Sequence, residues 1–350
     1  MTLLDFATFD TFSTGITGAK QAQQGRWSFQ GGSASGRGEV STTRAKTGTK
    51  SIYNTAGALT WTTIDPTENK YIVGAHFNIN ASSGWRDLFI VMDRDTLYPI
   101  HIQYDSVSKN LRWARQGTVL DTSTETFEVN TWYHLEIKFE VANSTASGTN
   151  ILKVDGAEIF NLSAASDTQH DSVSDIKCML WGGIFGGCYW DNIYICDTNG
   201  SINNDFLGEC IVETIRPNGN GNSSQFTGQD ADSTNNYQNV DDTTVDTSET
   251  TYNGSSTTNH IDLYTFDDLS SGGTVKGVKV HTFAKKTDIG NRAITHKIRS
   301  GGTNYSMSEE HFLAEGLVDK SSLTETDPNT ASAWTVSGVN SAEFGVEVTT

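Results

Sequence analysis

The stretch Thr131–Leu162 decides the fold. It opens TWYHLEIKF, in which Tyr133, Leu135, Ile137 and Phe139 alternate with His134, Glu136 and Lys138. A period of two puts the apolar set on one face and the charged set on the other, the pattern of a half-buried strand and not of an amphipathic helix. A polar gap follows, VANSTASGTN, and then ILKVDGAEIFNLS. Here Asp155-Gly156 supplies the positive φ values of a tight hairpin turn between two short apolar strands. Leu152, Val154, Ile159 and Phe160 are then expected to join Leu135 and Ile137 in one core. The chain reads as an antiparallel β-sandwich, with function on its loops and outer faces.

The rest of the chain agrees. No long i, i+3, i+4 apolar pattern occurs, and short β-branched and aromatic runs recur between Gly, Asn, Asp, Ser and Thr clusters, so the fold class is all-β. At 350 residues the chain has room for about two domains. A hydrophobic fraction of 35%, with 10% aromatic, is enough for a core of aromatics and β-branched residues. The formal net charge of -18 argues against nucleic acid, whose phosphates need a basic surface. MTLLDFATFD has no basic start, and the best apolar run, Cys178–Trp190, is too short for a membrane span and broken by glycines. The expectation is a cytosolic, soluble product with no membrane partner. Cys178, Cys188, Cys196 and Cys210 lack metal-ligand spacing and are read as free thiols.

Along the chain, strands are expected at Leu3–Phe12, Ser51–Tyr53, Leu59–Ile64, Tyr71–Ile79 and Asp87–Met92, the last a continuous apolar run buried on both sides. Pro99–Tyr104 and Asn110–Ala114 form a hairpin. Val119–Leu120 and Thr126–Val129 precede the central stretch, and Tyr189–Ile195 closes the first domain by returning to the N-terminal strand. In the second half Asn218–Thr258 is so polar that it reads as a long surface loop. Ile261–Phe266, Val275–Lys285, Ala293–Ser300 and Glu343–Val348 follow as strands, Ser306–Leu313 as a short helical turn, and Trp334 as a core anchor.

The set TWYHLEIKF, KVDGAEIF and YWDNIYICD resembles the laminin-G/concanavalin-A-like jelly roll over about residues 1–197. That fold serves lectins, glucanases and structural proteins alike. From Asn204 onward, FLGECIVETIRPNGNG, NYQNVDD, VKGVKVHTFAKKTD and DPNTASAWTVSGVNSAEFGVEV resemble a β module of tailed-bacteriophage virion proteins. The domain plan is therefore a jelly-roll sandwich at 1–200, a linker at 201–219, and a C-terminal β-sandwich module at 220–350 with a polar loop at 218–258.

For chemistry, Glu136-Ile137-Lys138-Phe139-Glu140 resembles the paired-carboxylate strand of concanavalin-A-like glucanases. Lys138 stands at the middle position, where it would lower an acid's pKa when a general acid needs it raised. The row is read as the solvent-facing side of an ordinary strand, and no catalytic residue is assigned. Asp87, Asp93 and Asp95 are weighed as a Ca²⁺ loop against a solvated turn; Asp230, Asp232, Asp241 and Asp242 raise the same question. The eight histidines form no ligand pair by spacing. Trp85 and Trp113, with Arg86, are the candidates for stacking on sugar rings, against the core as the alternative destination of each tryptophan.

The resemblance implies a non-enzymatic structural component of a tailed-phage virion, as capsid decoration, head fibre or tail-associated protein. Its partners would be other virion proteins, with assembly as a homo-oligomer or symmetric array. The alternative is a carbohydrate-binding adhesin that contacts a host glycan.

Overall fold

The computed structural model describes residues 3–15, 27–30, 38–54, 58–63, 65, 67–80, 84–142, 148–163, 167–170, 173–182 and 187–350. The chain is all-β and divides into two compact units, Thr2–Val212 and Glu213–Thr350.

The first unit holds β1 (Leu3–Ala7), β2 (Trp27–Gln30), β3 (Glu39–Ser41), β4 (Ser51–Asn54), β5 (Ala58–Thr62), β6 (Lys70–Ile79), β7 (Trp85–Asp93) and β8 (Ile100–Asp105). It continues with β9 (Leu111–Arg115), β10 (Thr118–Thr122), β11 (Trp132–Glu140), β12 (Ile151–Val154), β13 (Ala157–Asn161), β14 (Ile176–Trp181) and β15 (Cys188–Asp197). One antiparallel sheet runs β13-β12-β11-β6-β15-β4-β3, with β1 also pairing β15. The other runs β10-β9-β8-β7-β14-β5-β2.

The central stretch folds as its pattern requires. Leu135 pairs with Val154 and Ile137 with Leu152. Asp155 and Gly156 make the turn at φ 50° and 79°. On the inner faces, Phe77, Phe89, Ile102, Trp113, Trp181 and Trp190 are each 0% exposed. Burying side chains of this size contributes roughly 1.5–3 kcal/mol apiece, which is what holds the two sheets together. Trp113 belongs to this core, edge-on to Phe160, so it cannot stack on a sugar. Thr126–Val129 is not a strand; the Tyr104 hydroxyl donates to the Phe127 carbonyl and ties down an irregular segment.

The second unit holds β16 (Pro217–Ser224), β17 (Thr227–Gly228), β18 (Asn253–Gly254), β19 (Ile261–Phe266), β20 (Val278–Ala284), β21 (Ala293–Ser300), β22 (Thr303–Phe312) and β23 (Val318–Thr324). β24 (Thr326–Asp327), β25 (Ser332–Ala333), the short helix α1 (Val336–Asn340) and β26 (Glu343–Val348) complete it. A sheet ordered β16-β19-β26-β21-β22 is packed by the two-stranded ribbon β20-β23. Ile298, Trp334, Val339 and Phe344 form the core, joined by Val278 and Val280 of the ribbon. Ser306–Leu313, expected as a helical turn, lies almost wholly in β22.

The polar stretch 218–258 is also not a bare loop. β16 is a sheet strand paired with β19. The fully buried Asp262 carboxylate accepts from the Phe226 N–H at 2.9 Å, from Asn236 Nδ2 at 2.8 Å and from the Tyr264 hydroxyl at 2.8 Å. Asn253 donates to the Asn236 carbonyl at 2.7 Å. The segment is ordered by a buried polar network more than by apolar burial.

Candidate functional site

Strand alternation assigns the faces of β7, β8 and β9. Phe89, Val91, Ile100, Ile102, Leu111 and Trp113 point into the core, so Trp85, Asp87, His101, Gln103 and Arg112 lie on the outward face. A bulge between Asp87 and Phe89 makes this possible. Without it, Asp87 and Phe89 would share a face; with it, Asp87 sits opposite Gln103 outside while Phe89 sits opposite Ile102 inside.

The outward residues interlock. His101 Nε2 lies 2.5 Å from Asp87 Oδ1. Gln103 Nε2 donates to the same oxygen at 2.7 Å. Arg112 Nε donates to Gln103 Oε1 at 2.7 Å, and the Arg112 guanidinium carbon stands 4.1 Å from the centre of the Trp85 ring. Burial pushes the Asp87 carboxyl up, but the hydrogen bond and charge of His101, with Gln103 and Arg112, outweigh it and hold the group below its ordinary value. Burial lowers the Arg112 pKa, against the opposing pull of Asp87 and Asp105. The Tyr98 ring meets His101 edge-on at 5.9 Å and adjoins an apolar cluster of Ala58, Ile90, Met92, Cys178 and Leu180. The face is therefore polar at one end and apolar at the other.

Of the sugar-stacking candidates, Trp85 alone lies in this network. Arg86 sits opposite the inward Tyr104 and so belongs to the other side of β7. The three aspartates weighed for Ca²⁺ are dispersed. Asp87 joins the network, Asp93 is buried with its Oδ1 accepting from the Leu97 N–H at 2.8 Å, and Asp95 is exposed in the turn beyond. Asp87 and Asp93 are six residues apart along one strand, roughly 20 Å at the usual rise, and cannot share an ion. Among the described residues no group of three His, Cys, Asp or Glu is placed to hold a metal.

The row Glu136–Lys138–Glu140 is not a solvated row. Glu136 is 2% exposed. The segment 205–212 lies over it: the Gly208 N–H donates to Glu136 Oε1 at 2.9 Å and the Leu207 N–H approaches the Tyr194 hydroxyl at 3.4 Å. That hydroxyl in turn donates to Glu136 at 2.5 Å. Burial first, then the Glu136 charge, hold Tyr194 far above the ordinary phenol pKa. Lys138 pairs with Asp205, and Lys70 with Glu140. Each of the three is thus engaged by a neighbouring residue.

Two histidine pairs went unseen in the sequence because their partners are cross-strand neighbours. His76 pairs with His134 across β6 and β11, the rings 4.9 Å apart. His76 also contacts Glu209 at 3.1 Å. In the second unit the Ser322 hydroxyl lies 2.8 Å from both His296 Nδ1 and His311 Nε2. Gly74 is a sequence signal for the neighbouring Tyr194–Glu136 contact and not for the histidines. A glycine inside KYIVGAHFNI marks a close approach, and a Cβ there would stand 2.0 Å from the Tyr194 ring.

No protein-family model matches the chain, and no curated protein matches it. Among solved structures it is similar to the sialidase of Trypanosoma rangeli in complex with the inhibitor DANA, at TM-score 0.36 and 14% identity, over 46% of this chain and 27% of the sialidase. It is similar to an alginate lyase at TM-score 0.39 and 12% identity, over 54% of this chain and 95% of the lyase. It is also similar to a cellulose-induced protein at TM-score 0.36 and 16% identity, over 49% of this chain and 90% of that one. The chain thus spans about a quarter of the sialidase, and these are likenesses of fold. The structural role in a phage particle expected from the sequence is corrected here: the three solved structures named above are a sialidase, an alginate lyase and a cellulose-induced protein, and none of these three is a virion component.

Proposed function

We propose that the first unit is a carbohydrate-binding domain and that the outward face of β7, β8 and β9 is its binding surface. The observation that carries this is the interlocked row Trp85–Arg112–Gln103–Asp87–His101. Sugars offer pairs of hydroxyls to planar polar side chains and C–H faces to aromatic rings. Here an indole, a guanidinium, an amide, a carboxylate and an imidazole stand side by side, each oriented by its neighbour. Little side-chain entropy is then lost when a ligand arrives.

A glycan array probed with the full chain tests the proposal. Trp85→Ala and Gln103→Ala are each expected to lower the signal at least tenfold, while Lys109→Ala, which removes an exposed pair with Glu128, leaves it unchanged. An empty array, or binding indifferent to Trp85, defeats it. A second reading, cleavage at the same face, is favoured by the short contact between His101 and Asp87, since an imidazole held by a carboxylate is suited to proton abstraction. Release of new sugar ends from a bound polysaccharide, abolished by His101→Ala, would support that reading over simple binding.

A further inference from the structure

The Arg112 guanidinium carries five N–H donors, of which Nε is spent on Gln103. Among the described residues, its two terminal amino groups have no protein acceptor. Its plane is fixed by Trp85 on one side and by the Gln103 bond along its edge. A fixed planar fork with both prongs open matches a carboxylate through two parallel, charge-assisted hydrogen bonds, whereas a single hydroxyl engages one prong weakly.

Two carboxylates nearby oppose an incoming anion, and both are already occupied. Asp87 receives Gln103 and the His101 contact. Asp105 receives the Ser108 N–H at 2.9 Å and the Ser108 hydroxyl at 2.8 Å. Arg112 is the cation of this row that keeps donors in hand.

Building on the carbohydrate-binding reading, we propose that Arg112 selects glycans that carry a carboxylate on the sugar ring, binding that group through its terminal amino groups while Trp85 packs the ring's C–H face.

The test is calorimetric titration of the full chain with oligosaccharides of mannuronate, guluronate, galacturonate and glucuronate, each beside its carboxyl-reduced neutral form. At least one uronate should bind tenfold or more tightly than its reduced partner, with an affinity that falls as salt is raised. Arg112→Gln should erase that ratio, and Arg112→Lys, which keeps the charge but not the fork, should retain only part of it. Trp85→Ala should weaken both members of a pair and, by removing one of the two supports of the Arg112 plane, lower the ratio without erasing it. Thermal melting of each variant checks folding. If reduced and acidic forms bind alike, or Arg112→Gln weakens both equally, the carboxylate assignment falls while carbohydrate binding stands. If the neutral array and the uronate panel both fail to bind, both readings fall.

Discussion

Glu136 and Lys138 are two residues apart on one strand, yet their replacement by alanine should differ by several kcal/mol. Glu136 is buried under the segment 205–212 and accepts from the Tyr194 hydroxyl and the Gly208 N–H. Hydrogen bonds to a charged group are worth about 1.5–3 kcal/mol each; of the donors left behind, Tyr194 is buried and Gly208 half-buried. The half-buried Gly208 N–H can turn to water once Glu136 is gone, so the lower part of the summed range applies. Glu136→Ala should therefore cost about 3–4 kcal/mol, a large share of the 5–15 kcal/mol typical of a domain. The Lys138 pair with Asp205 is 23% and 71% exposed, and Lys138→Ala should cost about 0.5 kcal/mol. Urea denaturation followed by tryptophan fluorescence reads this cleanly, because seven of the eight tryptophans (all but Trp334) lie in the first unit. Hydrogen exchange should show the Gly208 amide losing protection in Glu136→Ala alone. If the two variants fall within 1 kcal/mol of each other, the buried role of Glu136 is wrong and the row is an ordinary solvated one.

Two further outcomes follow from the same kind of burial. Burial, with the charges of His134 and Lys46, lowers the His76 pKa to about 4 against the opposing pull of Glu209. The unfolded imidazole titrates near 6.5, so its share of stability is complete above that pH and is lost as pH falls toward 4, on the order of 3 kcal/mol. Denaturation at pH 7 and pH 5 should show the loss, His76→Gln should reduce it, and an equal loss in the variant would contradict the assignment. In the second unit, a Cβ on Gly345 would stand 1.8 Å from the Asp262 carbonyl oxygen, backbone that cannot swing aside. Gly345→Ala should part β19 from β26 and cost about 3 kcal/mol or more, measured by the second unit's unfolding; a cost under 1 kcal/mol would refute the close approach.

What the sequence made legible was whatever obeys a period. The central hairpin, its Asp-Gly turn and the all-β class each follow from alternation or turn chemistry, signals that reside in neighbouring residues. The bulge at Asp87 does not. After Asp87, LFIVM is an unbroken apolar run, and nothing in it says that one residue is extra to the ladder. Yet that extra residue is what puts Asp87 beside Gln103 and His101 and builds the candidate site.

The misreading of the polar stretch 218–258 and that of the Glu136 row share one cause. Composition weighs each side chain as though it met water alone, so Asn236, Asp262 and Glu136 all count toward the surface. Burial of a polar group depends instead on its partners, and the partners here come from distant strands: Tyr194 for Glu136, Phe226 and Asn236 for Asp262. The same logic places the candidate site on the outer face of one sheet and not on the row that most resembles a catalytic pair. Arg112 and Trp85 are 27 positions apart in the chain and meet because β7, β8 and β9 lie side by side. A function that depends on such a meeting is encoded in strand register, which the spacing of residues along one strand does not record.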